Sequence, residues 1–158
     1  MVSPLIGVHA AFGELGAFAF LWTLVELIEP SKKRVDRAKI AASIGVIFIF
    51  LSWIVGGYYY VNYYKDVKPI IKEGPAPWTH GIAMETKEHI FLFLPFLAIL
   101  TNAVIRKKDL MKDEKARRSA LLLSGLIFLL AIAMAGFGFI VSSGARAALE
   151  STSLGGLL

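Results

Sequence analysis

The stretch Ala120–Val141, ALLLSGLIFLLAIAMAGFGFIV, contains no charged residue and decides how the rest of the chain is interpreted. A helix needs about 20 consecutive apolar residues to cross the roughly 30 Å hydrocarbon core of a bilayer. This stretch satisfies that length, and basic residues flank it at Arg118 and Arg146. It therefore predicts a membrane-spanning helix, which we place at about residues 116–146.

Three further apolar stretches of similar length precede it, at about residues 5–28, 38–63 and 82–105. Ser3 and Pro4 suit the N-cap and the first position of the first helix, and Pro95 predicts a kink in the third. Short connections between the stretches predict an all-α fold, a transmembrane four-helix bundle with up-down-up-down topology. The 158 residues form one predicted domain, 1–158.

The composition agrees with a membrane protein and narrows the chemistry. The chain is 56% hydrophobic with a net charge of +5, and its mean hydropathy is +0.65, whereas soluble domains are about 45–50% apolar. The absence of cysteine excludes disulfides, Cys-ligated iron–sulfur clusters and covalent c-type haem. The basic residues flank apolar spans, so they indicate the topology of the chain in the membrane and do not suggest a nucleic-acid partner.

Lysine and arginine are concentrated in the first and third connections, which predicts that these loops face the cytoplasm. The basic residues of the two loops are Lys32, Lys33, Arg34, Arg37 and Lys39, and Arg106, Lys107, Lys108, Lys112, Lys115, Arg117 and Arg118. In the middle connection, three lysines are offset by Asp66 and Glu73. We therefore expect a multi-pass protein of a prokaryotic cell (inner) membrane, with both termini and the middle loop outside.

Two histidines within the spans suggest a cofactor site. At a rise of 1.5 Å per residue, His9 in the first helix and His89 in the third both lie in the outer third of the bilayer. Helices one and three are diagonal neighbours in a simple bundle, roughly 13 Å apart. That separation suits a haem b between the helices, with one imidazole on each face of the iron.

Other residues of the same region fit this haem hypothesis. Gly13 and Gly16 lie on the helical stripe of His9 and would make room for the porphyrin edge. Lys87 or Arg146 would pair with the haem propionates. Glu14 lies inside an apolar span, where ionisable residues are costly and usually functional, so it is a candidate proton relay.

A second hypothesis places a non-haem metal ion near the start of the third helix. His80 and Met84 are one helical turn apart, as are Glu85 and His89, and Glu88 lies beside them. Histidine, carboxylate and thioether groups bind copper, zinc or iron. We expect His80 to lie just outside the third helix, and the spacing matches no specific metal motif. The alternative is an ordinary polar helix entrance at the interface.

The stretch WTHGIAMETKEH, Trp78–His89, and the FLP that ends at Pro95 resemble an uncharacterised group of small four-helix prokaryotic membrane proteins. In general plan the chain also resembles small b-type cytochrome membrane subunits, whose bundle helices supply histidine pairs to haem. The resemblance implies ligand roles for His9 and His89 and room for one haem at most.

These observations lead to a small b-type cytochrome or redox subunit as the first functional hypothesis. It would carry electrons between a membrane quinol and a redox partner, within a larger membrane complex or as the electron-transfer subunit of an oxidoreductase. Two alternatives stay open. One is a non-haem metal-binding or proton-coupled membrane protein, and the other is a cofactor-free assembly subunit.

Overall fold

The computed structural model of the protein describes residues 3–155, with side chains to residue 152, and within this range it contains helices and no strands. The helices are α1 Pro4–Ile28, α2 Lys32–Tyr59, α3 Lys65–Glu73, α4 Glu85–Lys107 and α5 Glu114–Gly155. Four helical stretches are long and apolar enough to cross a membrane: Pro4–Ile28, Lys32–Glu73, Thr79–Lys107 and Glu114–Thr152. The predicted all-α class and the number of candidate spans are confirmed.

The helix starts follow from local capping. The Ser3 hydroxyl accepts a hydrogen bond from the Leu5 amide at 3.4 Å, with Pro4 at the first helical position. The Ser31 hydroxyl accepts one from the Arg34 amide at 3.3 Å. Because this cap precedes a run of lysine and arginine, which are good helix formers, α2 begins well before the predicted residue 38.

Two π-helical turns extend the second and third long helices beyond their predicted limits. The first, Tyr60–Tyr64, joins α2 to α3, so the helical path continues to Glu73 instead of ending at residue 63. The second, Thr79–Met84, leads directly into α4. The expectation that His80 lies outside the third helix is therefore wrong, because helical structure begins at Thr79. Between the two paths lies the short Gly74–Pro77 turn.

The long helices form a ring in which each has two neighbours. Helix α1 packs against α2 and α5, and α4 packs against the same two helices. Within the described residues, no Cα atoms of α1 and α4 approach within 8 Å, so these helices face each other across the bundle. Glycines bring α1 and α2 together: a Cβ at Gly16 would lie 3.2 Å from the Ile49 amide nitrogen, and one at Gly45 would lie 2.7 Å from the Phe20 ring.

Three buried clusters divide the interior into layers. The central layer consists of Ala17, Phe20, Ile49, Leu94, Leu97, Ala98, Ile127 and Ala131. The layer beside the first and third connections, which we name the basic end, includes Leu27, Val35, Ile105 and Leu110. The opposite layer, the tyrosine end, contains Tyr64, Ile71, Ala83 and Val141. Along the helices, the central layer lies between the layers of the two ends.

The basic end is fastened by one carboxylate. Glu26 accepts hydrogen bonds from Arg37 Nε at 2.7 Å and Arg37 Nη2 at 2.9 Å, and from Arg34 Nε at 3.1 Å. The indole nitrogen of Trp22 donates a further bond to it at 3.0 Å. Glu26 therefore ties the end of α1 to the first turns of α2, which is a structural role.

A buried tyrosine–histidine pair at the tyrosine end

The most deeply buried polar contact of the tyrosine end joins Tyr64 and His80. The phenol oxygen lies 3.0 Å from His80 Nδ1, and the two residues are 3% and 2% exposed. Their ring centroids are 5.9 Å apart. Because both groups are shielded from water, this bond has no solvent competitor and is stronger than it would be at the surface.

Each member of the pair comes from one of the two π-helical turns. Tyr64 is the last residue of Tyr60–Tyr64, and His80 is the second residue of Thr79–Met84. Single π-helical turns within α-helices are rare and occur frequently at functional sites. Gly144 of α5 packs against Thr79, where any Cβ would collide with the threonine side chain. The glycine thus lets the second π-helical turn approach α5 closely.

A carboxylate completes this cluster. The ring of Tyr60 stacks on that of Tyr64 with centroids 5.4 Å apart, and the Tyr60 hydroxyl lies beside the Glu88 side chain. Glu88 Oε1 is buried and has no hydrogen-bond partner among the described residues. An unpaired buried oxygen is costly and requires an explanation, such as a bound proton, a water molecule or a ligand. We name Tyr60, Tyr64, His80 and Glu88 the tyrosine-end cluster.

A second polar group lies between the helices in the same half of the bundle. His9 Nδ1 is 2.9 Å from the Ser52 carbonyl oxygen and 3.0 Å from Ser52 Oγ. The imidazole lies against Gly56, where a Cβ would be 2.6 Å from Nδ1. Lys87 lies within electrostatic range of His9, and its ammonium group approaches Gly138 of α5. The Lys87 side chain is thus directed into the bundle, whereas the sequence analysis expected it to pair with haem propionates.

His89 is placed differently. It is exposed, and its Nδ1 lies 2.7 Å from the Glu85 carbonyl oxygen of its own helix. His9 and His89 do not face each other, since the His9 imidazole contacts α2 while the His89 side chain is exposed. In His9, His80 and His89 alike, Nδ1 is engaged, and no hydrogen bond of the described residues involves Nε2.

The remaining predicted haem residues do not surround a common space. A Cβ at Gly13 would meet Ser52 Oγ at 3.2 Å, and the space beside Gly16 is filled by Ile49. Both glycines thus serve the α1–α2 contact rather than a flat cofactor. Arg146 is exposed on α5. Glu14 is exposed on α1, and no ion pair or hydrogen bond among the described residues involves it.

The residues proposed for a non-haem metal also fail to converge. His80 faces Tyr64, Glu85 is exposed, and Met84 packs at the edge of the tyrosine-end layer. Throughout the described part of the chain, no group of three or more histidine, aspartate or glutamate side chains is arranged to hold a metal ion. The copper, zinc or iron alternative therefore has no ligand set in this geometry.

An apolar cleft opens next to the tyrosine-end cluster. It has a volume of about 320 Å³ and lies between the second π-helical turn and α5. Its walls include Trp78, Thr79, Phe139 and Ser143. Trp78 and Phe139 are 53% and 75% exposed, so the cleft opens on the outer surface of the helices. Thr79, a wall residue, immediately precedes His80.

The sequence analysis missed Tyr64 as a site residue, because it lies among five tyrosines at residues 58–64, a pattern typical of an aromatic belt at a membrane interface. Tyr64 alone among them is buried, while Tyr58 and Tyr63 are exposed. It also missed Ser52 and Gly56, which hold His9. Their signal was available in the sequence, since a serine and a glycine one turn apart on α2 form a small polar surface for a neighbouring helix.

Comparisons of the chain with protein-family models, with curated proteins and with solved structures found no match.

Proposed function

We propose that the chain is a multi-pass membrane protein whose four long helices cross the bilayer in alternating directions. The basic end would face the cytoplasm of a prokaryotic cell, and the tyrosine end and both termini would face outward. The positive charge of the first and third connections supports this orientation. Single cysteines at Lys112 and Glu73 test it in intact cells with an impermeant thiol reagent. Labelling at residue 73 alone is expected, and labelling at residue 112 alone would reverse the topology.

We infer that its function is proton-coupled and quinol-linked, exercised at the tyrosine end. The observation that carries this proposal is the buried Tyr64–His80 hydrogen bond of 3.0 Å between two π-helical turns. A phenol and an imidazole joined in this way can pass a proton between them, because histidine changes its charge near neutral pH. Glu88, with its unpaired oxygen, is the next proton acceptor of the cluster.

The cleft gives the proposal its substrate class. A ligand that enters from the membrane is apolar, and a volume of about 320 Å³ lies at the lower end of the range for small-molecule sites. Aromatic walls suit a flat ring. The hydroxyls of Thr79 and Ser143 donate to backbone carbonyl oxygens, so they would act as acceptors for the hydroxyls of a quinol. A quinol combines these features, and its oxidation releases two protons. Two equivalents of a one-electron acceptor would take the two electrons, while His80, whose neighbour Thr79 lines the cleft, and Glu88 would take up the two protons.

Trp78 offers a direct test of binding. The chain has three tryptophans, so a variant with Trp22→Phe and Trp53→Phe reports only on the cleft. A short-chain quinone analogue should quench this fluorescence with saturation, and Ser143→Phe, which fills the cleft, should abolish the saturable component. Equal quenching with and without the Ser143→Phe change would show that the quinone merely partitions into the detergent.

Proton coupling predicts a pH dependence with a defined sign. Protonation gives His80 a positive charge, which strengthens a hydrogen bond from the imidazole to a quinone carbonyl, so quinone binding should tighten as the pH is lowered from 8 to about 5.5. His80→Gln should remove this dependence. His89→Gln is the matched control, because His89 is exposed and bonded to its own helix. Loss of the dependence in both variants, or in neither, would exclude His80 as the coupled group.

A b-type cytochrome is the second candidate function, and one observation favours it. In both His9 and His89, Nδ1 faces a backbone carbonyl oxygen, which is the arrangement that leaves Nε2 free and oriented for a metal. A haem between them would require the His89 side chain to turn into the bundle, because it is exposed in the geometry described. Expression with ample haem tests this candidate. A low-spin spectrum that either His9→Ala or His89→Ala abolishes would establish the haem, and a colourless protein would exclude it.

A further inference from the structure

A second cavity lies at the basic end, far from the tyrosine-end cluster. It has a volume of about 240 Å³ and lies between the start of α2 and the connection from α4 to α5. Three lysines, Lys32, Lys39 and Lys108, line it. Its apolar wall is formed by Val35 and Leu110, which are buried in the basic-end layer. The cavity thus combines a cationic rim with an apolar floor.

The charges of this cavity are only partly compensated. Asp36 is paired with Lys39 at 3.2 Å, so these two charges offset each other. Asp109 is 3.9 Å from Lys112, and its Oδ1 accepts a hydrogen bond from the Met111 amide at 3.1 Å. Within the described part of the chain, no ion pair involves Lys32 or Lys108. Lys32 and Lys108, which come from separate connections, therefore line one cavity without an ion-pair partner among the described residues.

We propose that this cavity binds a phosphate group, as presented by the headgroup of an anionic phospholipid. Lys32 and Lys108 would each donate a charge-assisted hydrogen bond to the phosphate oxygens. The first turn of α2, which begins at Lys32, adds the favourable field of a helix N-terminus. Free phosphate would satisfy the same donors, but the apolar floor and the exposed Met111 beside it suit the glycerol and acyl portions of a lipid.

The site differs from a general attraction between basic loops and anionic membranes. Such an attraction depends on the number of charges near the surface, and each lysine contributes about equally to it. The proposed site depends on two particular lysines. Lys33 and Lys107 are their direct neighbours in the chain, are exposed, and do not line the cavity. The variant K33Q/K107Q therefore removes the same charge from the same two connections as K32Q/K108Q.

The test uses the full chain purified in a neutral detergent. Its thermal unfolding is followed during titration with dioleoyl phosphatidylglycerol, with zwitterionic dioleoyl phosphatidylcholine and with inorganic phosphate. Phosphatidylglycerol should raise the unfolding temperature of the parent protein. Each lost charge-assisted bond corresponds to about tenfold weaker binding, so K32Q/K108Q should bind phosphatidylglycerol about 10- to 100-fold more weakly. K33Q/K107Q should stay within about twofold.

The outcomes separate the possibilities. Equal weakening of binding in the two double variants would overturn the site and would indicate a general attraction to the charge of the loops. Equal stabilisation by phosphatidylcholine, or no response to any probe, would also overturn it. Inorganic phosphate could instead stabilise the protein at the same concentrations, with the effect lost only in K32Q/K108Q. This result would support the phosphate site and identify the free ion as its ligand. If K32Q/K108Q does not fold, the single variants K108Q and K107Q provide the same comparison.

Discussion

The Tyr64–His80 bond makes a quantitative prediction about stability. Tyr64→Phe removes only the phenol oxygen, so the ring stacking on Tyr60 is retained while His80 Nδ1 loses its partner at 3.0 Å. A buried polar group left without a partner costs about 1–3 kcal/mol. His80 is 2% exposed and cannot turn to water without moving the helix, so we expect a loss in the upper half of that range.

A double-mutant cycle separates this bond from general effects on packing. His80→Leu alone leaves the Tyr64 hydroxyl unpaired and should also destabilise the protein. Replacement of both partners by apolar groups removes both unsatisfied atoms, so the double variant should be more stable than the sum of the single changes predicts, by about 1 kcal/mol or more. Tyr59→Phe is the control, because Tyr59 stacks on Tyr63 and no hydrogen bond of the described residues involves its hydroxyl.

The assay is reversible unfolding in mixed micelles of a mild detergent and dodecyl sulfate, followed by circular dichroism. Strictly additive effects of Tyr64→Phe and His80→Leu would refute the reasoning, because they would show that the two side chains do not interact in the folded protein. A loss from Tyr59→Phe as large as that from Tyr64→Phe would refute it as well, since the loss would then follow from removal of any tyrosine hydroxyl at this end.

Three further predictions concern packing and ion pairing. Gly45→Ala should destabilise the protein by about 1–2 kcal/mol, because its Cβ would lie 2.7 Å from the buried Phe20 ring. Gly136→Ala should stabilise the protein by about 0.5–1 kcal/mol in the same unfolding assay, because its Cβ would meet no atom within 4 Å. Glu26→Gln should lower the thermal unfolding temperature more than Glu29→Gln, since Glu26 accepts several bonds and Glu29 has one ion pair of 3.5 Å. Ser52→Ala should cost about 1 kcal/mol by removing the 2.9 Å bond to the His9 carbonyl oxygen, a loss that Ser52→Thr should reduce.

Hydropathy predicted the four apolar spans but underestimated the length of the helices around them. The extra turns, Lys32–Arg37 and Lys65–Glu73, are rich in charged residues, so a search for apolar runs does not detect them. Lysine, arginine and glutamate are nevertheless good helix formers, and an established helix continues through them at little cost. The sequence analysis did not predict the π-helical turns Tyr60–Tyr64 and Thr79–Met84.

The site was harder to predict than the spans. The sequence gives the depth of a residue along a helix, but it does not show which face of the helix points into the bundle. A rise of 1.5 Å per residue placed His9 and His89 at similar depth, but it did not fix which face of α4 carries His89. That face is exposed, while Lys87 and Glu88, the two preceding residues, are directed inward. Tyr64 and His80 are 16 residues apart, and α3 together with the Gly74–Pro77 turn between them returns the chain so that the two side chains meet.

The two longest helical paths have a mechanical consequence for a protein held in a bilayer. Lys32–Glu73 and α5 each contain 42 residues, or about 63 Å at 1.5 Å per residue, which is twice the thickness of the hydrocarbon core. Helix α3 does not add its own length to the height of the bundle, because Ile71 is buried in the same cluster as Tyr64, Ala83 and Val141. In a bilayer, α3 would therefore lie against the tyrosine end as a cover over its buried layer.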